Sequence, residues 1–378
     1  MKIIHFSDTH LGFNDLDILN DENINQREAD FYDAFSQVVA QIKKLKPDYI
    51  IHTGDLFHRS SPSNRAISFA LEQFKIINDL KIPFILIAGN HSTPRTNLST
   101  PILKIFEGFE NIYLSYNQEY KTIEFKDIVF HTLPHMNDEN KALGQIELCE
   151  KALDSSKKNV MMMHCSVGAH FLMQEFGEWV YPKDKEYIFE MMDYVALGHW
   201  HGFGKVGKHP NVFYSGSTER TSLNDKRNSK GFVELILDDE ASLFGALQIE
   251  YKEIKIRPII TKTIDAISYE ASLASLELDD IADAIVEVKL INLTPLQSIE
   301  IQNTEITKHF SEAMSVTIKR EFQKAESESQ NLDIESLSLQ EYFLEHIKEE
   351  ANEKEFVRLK SKIDELFAEH EERYDDTL

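Results

Sequence analysis

The fold expected from the sequence is α/β and layered, with a smaller α+β domain behind it, on three observations. Short apolar runs of strand type alternate with amphipathic helical stretches over the first 235 residues. Five of these runs end in a turn carrying Asp, Asn or His that could ligate a metal, and in layered α/β sheets the carboxyl ends of strands gather such groups into one crevice. Beyond Leu235 strand-type segments continue, but the polar turns stop.

The elements follow in order. Residues 2–7 (KIIHFS) form a first strand that runs into Asp8-Thr9-His10-Leu11-Gly12. A polar, acidic insert, 14–25, reads as a surface loop. Asn25 and Gln26 then open a long helix with Phe31, Phe35, Val38, Val39 and Ile42 at helical spacing, and Pro47 ends it. A second strand, 49–53, closes on Gly54-Asp55-Leu56-Phe57-His58, and a helix over 64–80 follows. The third strand, 84–88, ends in Gly89-Asn90-His91, with a helix over 99–109 after it. Shorter strands lie at 113–114, 122–125 and 128–133, then a helix at 142–153. The strand at 160–163 ends on His164, and 193–197 is a buried strand leading into GHWHG, 198–202. The last strand of this first domain is 231–235.

Length and charge bound the rest. The chain has 378 residues, enough for two or three domains, with 42% hydrophobic and 28% charged residues, as in globular proteins. No run of about 18 apolar residues exists, so no membrane span is expected. The start is too interrupted for a signal peptide, and two cysteines, Cys149 and Cys165, make no disulfide framework; a reducing cytoplasm is the expected location. A net charge of −24 argues against coating nucleic acid by bulk attraction. Residues 321–378 carry seven Lys/Arg against eighteen Asp/Glu, so that segment alone holds −11 of the excess and a DNA-binding face elsewhere stays possible.

The expected domains are 1–238, a small α+β domain at 245–322, a linker at 323–336 and a helical tail at 337–378. In the small domain, 247–260 and 284–291 alternate as strands, 269–276 and 304–313 read as helices, and 315–318 as a strand. In the tail, Ser338-Leu339-Gln340-Glu341 matches a capping box. Leu339, Phe343 and Ile347 share one helical face, and Phe356, Leu359, Ile363, Leu366 and Phe367 share another. Such helices can pack on the core or offer a face to a partner helix.

Five strand ends supply metal-type ligands: Asp8 with His10, Asp55, Asn90 with His91, His164, and His199 with His201. Taken singly these are commonplace, since a strand-end Asp usually caps a helix and a buried His is usually just hydrogen-bonded. Their joint recurrence is the signal. One carboxylate can bridge two divalent cations about 3.5–4 Å apart, which would clamp a phosphate and activate water. Carboxylate, amide and imidazole together suit Mn²⁺ or Fe²⁺ better than Mg²⁺, and the lack of thiolates disfavours structural zinc.

The order D-x-H, GD, GNH, His, GHxH resembles the calcineurin-like metallophosphoesterases, and within them the SbcD / meiotic recombination eleven DNA-repair nucleases. The narrower resemblance lies in SDTHLG (7–12), NQREADFYDAF (25–35), GDLFH with SPS (54–63), YSGSTERTS (214–222) and KGF (230–232). It implies a layered β-sandwich metallophosphoesterase core with helices on both sides, a small α+β capping domain and a C-terminal helix pair. It also implies that Asp8, His10, Asp55 and His201 hold one Mn²⁺ while Asp55, Asn90, His164 and His199 hold the other. By the same resemblance His91 faces the phosphate as a catalytic group, supported by His58. The implied activity is Mn²⁺-dependent DNA exonuclease and endonuclease chemistry in double-strand break repair, by a homodimer formed through helices near 64–80 and 99–109. The tail helices would dock on an SbcC-type coiled-coil ATPase; the chain itself has no P-loop.

One departure is Ser92, where the family has an acid after the catalytic His; a neighbouring carboxylate would raise that histidine's proton affinity. The acidic insert is another. Arg27, Arg59, Arg65, Arg95 and Arg220 lie near motif ends and could meet DNA phosphates. A small-molecule phosphodiesterase or phosphatase is the alternative the motifs allow. A non-catalytic scaffold is a third reading, weighed down by the complete ligand set.

Overall fold

The computed structural model describes residues 1–94, 99–168, 178–222, 225, 229–237, 247–323 and 360. Arg95 lies outside them, as do the expected linker and tail apart from residues 323 and 360.

Two six-stranded sheets face one another. The first is built from β1 (Lys2–Phe6), β2 (Tyr49–His52), β3 (Phe84–Ile87), β4 (Ile112–Ser115), β11 (Gly231–Leu237) and β12 (Leu247–Glu253), in the order β12-β11-β1-β2-β3-β4. The second contains β5 (Lys121–Glu124), β6 (Ile128–Leu133), β7 (Lys158–His164), β8 (Tyr194–Gly198), β9 (Gly204–Lys205) and β10 (Val212–Tyr214), in the order β5-β6-β7-β8-β10-β9. Strands β1 to β4 run parallel, as do β6, β7, β8 and β10, so their carboxyl ends lie along one edge of each sheet.

Because successive strand residues face opposite ways, each sheet has an inner and an outer apolar face. Inner-face residues of both sheets, among them Ile3, Ile51 and Ile85 with Phe130, Met162 and Tyr194, form one shared core. The outer face of the first sheet is covered by α1 (Gln26–Leu45) and α2 (Asn64–Asp79), through Phe35, Val38, Ile42, Phe74 and Ile77. The outer face of the second is covered by α3 (Glu139–Lys151) and a 3₁₀ stretch at Lys183–Met191. The core is thus a β-sandwich with helices on both sides.

Caps set the helix ends. Asn25 accepts hydrogen bonds from the Arg27 and Glu28 amides at the start of α1, and Ser63 accepts from Ala66 at α2. The helix expected over 99–109 is a single 3₁₀ stretch, Ile102–Phe106, entered from Pro101. The strand expected over 247–260 is two strands in two sheets. Leu247–Glu253 pairs antiparallel with β11 and extends the first sheet. Only β13 (Ile259–Asp265) joins β14 (Ile285–Leu293) and β15 (Ser315–Phe322) in a three-stranded sheet with its own apolar cluster around Val286, Val288, Ile306 and Phe310. Alternation alone does not tell a strand which sheet it joins, so the break was invisible in the sequence. Short helices α4 (Tyr269–Ala274), α5 (Pro295–Glu300) and α6 (Asn303–His309) complete this part. Among the described residues, no helix is long and apolar enough to cross a membrane.

Candidate metal centre

The strand ends converge because the backbone turns sharply just past them. Asp8, His10, Asp55 and His199 all have positive φ, at 51°, 41°, 54° and 97°. Non-glycine residues take that region rarely, and such strain gathers at functional sites. Neighbouring glycines let the chains close in. A Cβ at Gly54 would stand 2.3 Å from His164 Nδ1, and one at Gly89 would stand 2.2 Å from Asp55 Oδ1.

The convergence brings Asp8, His10 and His201 together, and also Asp8, Asp55 and His164, with ligand atoms in each set within 4.8 Å of one another. His10 Nε2 and His201 Nε2 are 3.1 Å apart. Two cis ligands about 2.1 Å from a common ion would stand roughly 3 Å apart. Around Asp55, His164 Nδ1 donates to the Thr53 carbonyl at 2.7 Å, which turns Nε2 toward Asn90 Oδ1 at 2.8 Å and Asp55 Oδ2 at 3.2 Å. His199 Nε2 donates to Glu178 Oε1 at 3.3 Å, leaving Nδ1 as its lone pair, and its ring centroid is 5.4 Å from that of His164. Its backbone N–H is 3.1 Å from both Asp8 oxygens.

This donor set fits a divalent pair. Ligand histidines must be neutral, and burial supplies that for two of them: His10 is held well below the ordinary imidazole range by burial and then by His201, and His199 is lowered to about 4 by burial and His164. Asp55 stays ionised although burial opposes it, because His164 and His91 hold its carboxyl well below the carboxylate range.

His164 sets a pH dependence. Burial opposes its charge, but Asp55, Asp8 and the Thr53 carbonyl together outweigh burial and raise the ring to about 9. Without an ion, that proton contributes stability that is complete below the ordinary value of 6.5 and lost as pH rises through about 9. A cation at Nε2 must displace it, so metal affinity should climb with pH up to about 9, with proton release on binding. Calorimetric titration in buffers of different ionisation enthalpy checks this; binding without proton release at neutral pH would refute it.

His91 and His58 lie at the rim of the same centre. The His91 amide donates to Asp55 Oδ1 at 2.9 Å and its Nδ1 donates to the His58 carbonyl at 2.6 Å, so the ring is fixed with Nε2 as its other nitrogen. The His58 and His91 rings stack at 5.3 Å, and with His10 they form a third close group. Burial, then His91 and Arg59, lower His58 to about 4. Ser92 is buried and its Oγ has no hydrogen-bond partner among the described residues.

Behind these residues lies a polar frame. His52 accepts from the Gly54 amide at Nδ1, so its Nε2 donates to Thr9, 3.2 Å away, which in turn donates to the Leu56 carbonyl. Lys230, buried, donates to the His201 carbonyl at 2.7 Å and to Ser217 at 2.8 Å, and Thr221 Oγ1 is 3.0 Å from His201 Nδ1. The SGSTERTS and KGF stretches therefore surround His201. Sequence reasoning missed Glu178, which no motif marks. It also missed His135, a buried ring 6.4 Å from that of His164. His135 follows the buried strand β6 as other site histidines follow theirs, and that pattern could have found it.

The arginines divide. Arg27 is 3% exposed, with its guanidinium between Asp30 at 2.6 Å and Glu219 at 3.3 Å, which corrects the expectation that it meets DNA. Arg220 is half-buried and bonds the carbonyls of Asp225 and Arg257. Arg65 is half-exposed beside Glu28, and Arg59 is exposed.

The chain is 27% identical over 372 residues to DNA double-strand break repair protein Mre11 of Methanococcus maripaludis, covering 94% of this chain and 93% of that one. It is 34% identical over 202 residues to the Mre11 of Sulfurisphaera tokodaii, covering 53% of this chain and 49% of that one. The SbcD component of the SbcCD nuclease of Staphylococcus epidermidis is 29% identical over 267 residues, covering 64% of this chain and 68% of its own. Residues 1–203, more than half of the chain and every strand end that bears a site residue, match the family described as calcineurin-like phosphoesterase, and the chain belongs to that family.

Proposed function

We propose that the chain is an Mn²⁺-dependent DNA exonuclease and endonuclease of double-strand break repair. The observation that carries this reading is the convergence of Asp8, His10, Asp55, Asn90, His164, His199 and His201 in a phosphoesterase fold whose relatives include a DNA double-strand break repair protein along nearly the whole chain and a nuclease subunit over about two thirds of it. Asp8, His10, Asp55 and His201 would hold one ion; Asp55, Asn90, His164 and His199 would hold the other. Bound divalent ions supply Lewis acidity to the phosphate and lower the pKa of water. Within the chain, Asp55 would be the carboxylate common to the two sets, and it orients His91 through its amide. His91, steered by the His58 carbonyl, would in its imidazolium form present Nε2–H to the departing 3′ oxygen as its proton donor and be left as the Nδ1–H neutral ring.

The same reading assigns the wider organisation: a nuclease domain at 1–238 whose first sheet also takes Leu247–Glu253, a capping domain over the rest of 245–322, a linker at 323–336 and a partner-binding tail at 337–378, in a cytoplasmic homodimer. Ile76 on α2 and Ile105 in the 3₁₀ stretch are exposed, which suits apolar pairing of two copies near 64–80 and 99–109. The exposed Arg59 and Arg65 are the phosphate contacts of choice. Deleting 337–378 is expected to spare Mn²⁺-dependent hydrolysis of a chromogenic diester and to abolish co-purification with an SbcC-type ATPase; retained co-purification would remove the tail from that role.

The deciding experiment is digestion of end-labelled linear duplex DNA with Mn²⁺, Mg²⁺ or EDTA, beside the chromogenic diester. Mn²⁺-dependent shortening of the DNA supports the nuclease. Hydrolysis of the diester with DNA untouched, even after the ATPase partner is added, would favour a small-molecule phosphodiesterase.

A further inference from the structure

The frame around His201 continues to the small three-stranded sheet through a single side chain. Arg257 lies in the short connection between β12 and β13. Its Nε and Nη2 each reach an oxygen of Asp30, near the start of α1, at 2.7 Å, and its Nη1 reaches the carbonyl of Asp283, just before β14, also at 2.7 Å. Asp30 is shared with Arg27, whose other end-nitrogen bonds Glu219 and the Arg220 carbonyl. Arg220 returns the contact by donating to the Arg257 carbonyl at 3.0 Å. The next residue, Thr221, touches His201. The small sheet and a site histidine are thus joined by a run of hydrogen bonds with one peptide bond, from Arg220 to Thr221, in it, and α1 and the STER turn meet in its middle.

We propose that Arg257 is a positioning residue: by sharing its guanidinium between Asp30 and the Asp283 carbonyl it fixes β13 and β14 against the metal-bearing body, and so places a polymeric phosphodiester but not a small one. Arginine suits the task because its planar fork can hold a carboxylate at two points and still donate elsewhere, which a lysine ammonium cannot do in the same geometry. Duplex DNA carries a charge every 1.7 Å or so along its axis, and extends past the reacting phosphate, so its binding depends on more of the protein surface than a small diester can reach. Removing the guanidinium need not unfold the chain. Asp30 keeps Arg27 as its partner, and the connection stays held by Gln37, which bonds Lys255 at both amide and carbonyl.

The DNA part of this inference rests on the nuclease reading; the positional part does not. The test compares the full chain with Arg257→Gln and Arg257→Lys. Hydrogen exchange without substrate is expected to quicken at Ile285–Leu290 in Arg257→Gln while α1 and β2 are unchanged. With Mn²⁺, hydrolysis of the chromogenic diester is expected to stay within about twofold of the parent, whereas kcat/KM for duplex DNA falls roughly tenfold to a hundredfold through KM. Arg257→Lys is expected to recover part of that loss. Equal losses on both substrates, or DNA cleavage unchanged, would overturn the assignment. If the parent leaves DNA uncut, the nuclease reading fails by itself, and the exchange measurement still decides the positional claim: unchanged exchange at Ile285–Leu290 overturns it.

Discussion

Asp55→Ala should silence hydrolysis of duplex DNA and of a chromogenic diester together, by on the order of a thousandfold or more, because under the proposed assignment it removes the carboxylate shared by the two ion sites. Its two oxygens have separate duties: Oδ1 accepts from the His91 amide at 2.9 Å and Oδ2 faces His164 Nε2 at 3.2 Å. Without that charge His164 loses the largest of the interactions that raise it, leaving Asp8 and the Thr53 carbonyl to act against burial. Metal content is expected to fall with activity. Elemental analysis beside turnover checks both, and a variant that kept two ions and its rate would remove Asp55 from the centre.

His91→Ala has a different signature. The His91 ring is tied to the site by hydrogen bonds rather than by membership of either aspartate-containing ligand set. Loss of a general acid costs roughly 10²–10⁴-fold in turnover. Metal content and diester KM should be little changed. The gap between the two variants, one losing ions and the other losing only rate, separates holding the metal from handling the proton. Metal loss in His91→Ala would make it a ligand instead.

Much of this site was legible in advance because its residues follow a rule that needs no knowledge of tertiary structure. Parallel strands end on one edge, so Asp8, Asp55, Asn90, His164 and His199 could be grouped from their places after apolar runs. Arg27 was misread for the opposite reason. Its neighbours in sequence mark a helix start, but its fate is set by Glu219, 192 residues away, which no local pattern reveals. Glu178, Lys230 and the pairing of Leu247–Glu253 with β11 belong to the same class, each decided by a contact far along the chain. His135 is an exception, since it obeys the strand-end rule and was simply passed over.

The sheets themselves give the centre a role in the lifetime of the fold. Asp8, His10, Asp55 and Asn90 extend from the first sheet; His164, His199 and His201 extend from the second. The pair His10 and His201 is 191 residues apart in sequence. Contacts of such separation close late, after most of the chain has condensed. An ion held there would act as a rivet between the two halves of the sandwich, set after assembly and gripping hardest against its reversal. Its contribution would therefore appear chiefly as slower unfolding, with the refolding rate little altered. Chelation would shorten the survival of a protein that had already folded, well before it hindered the folding of a new one.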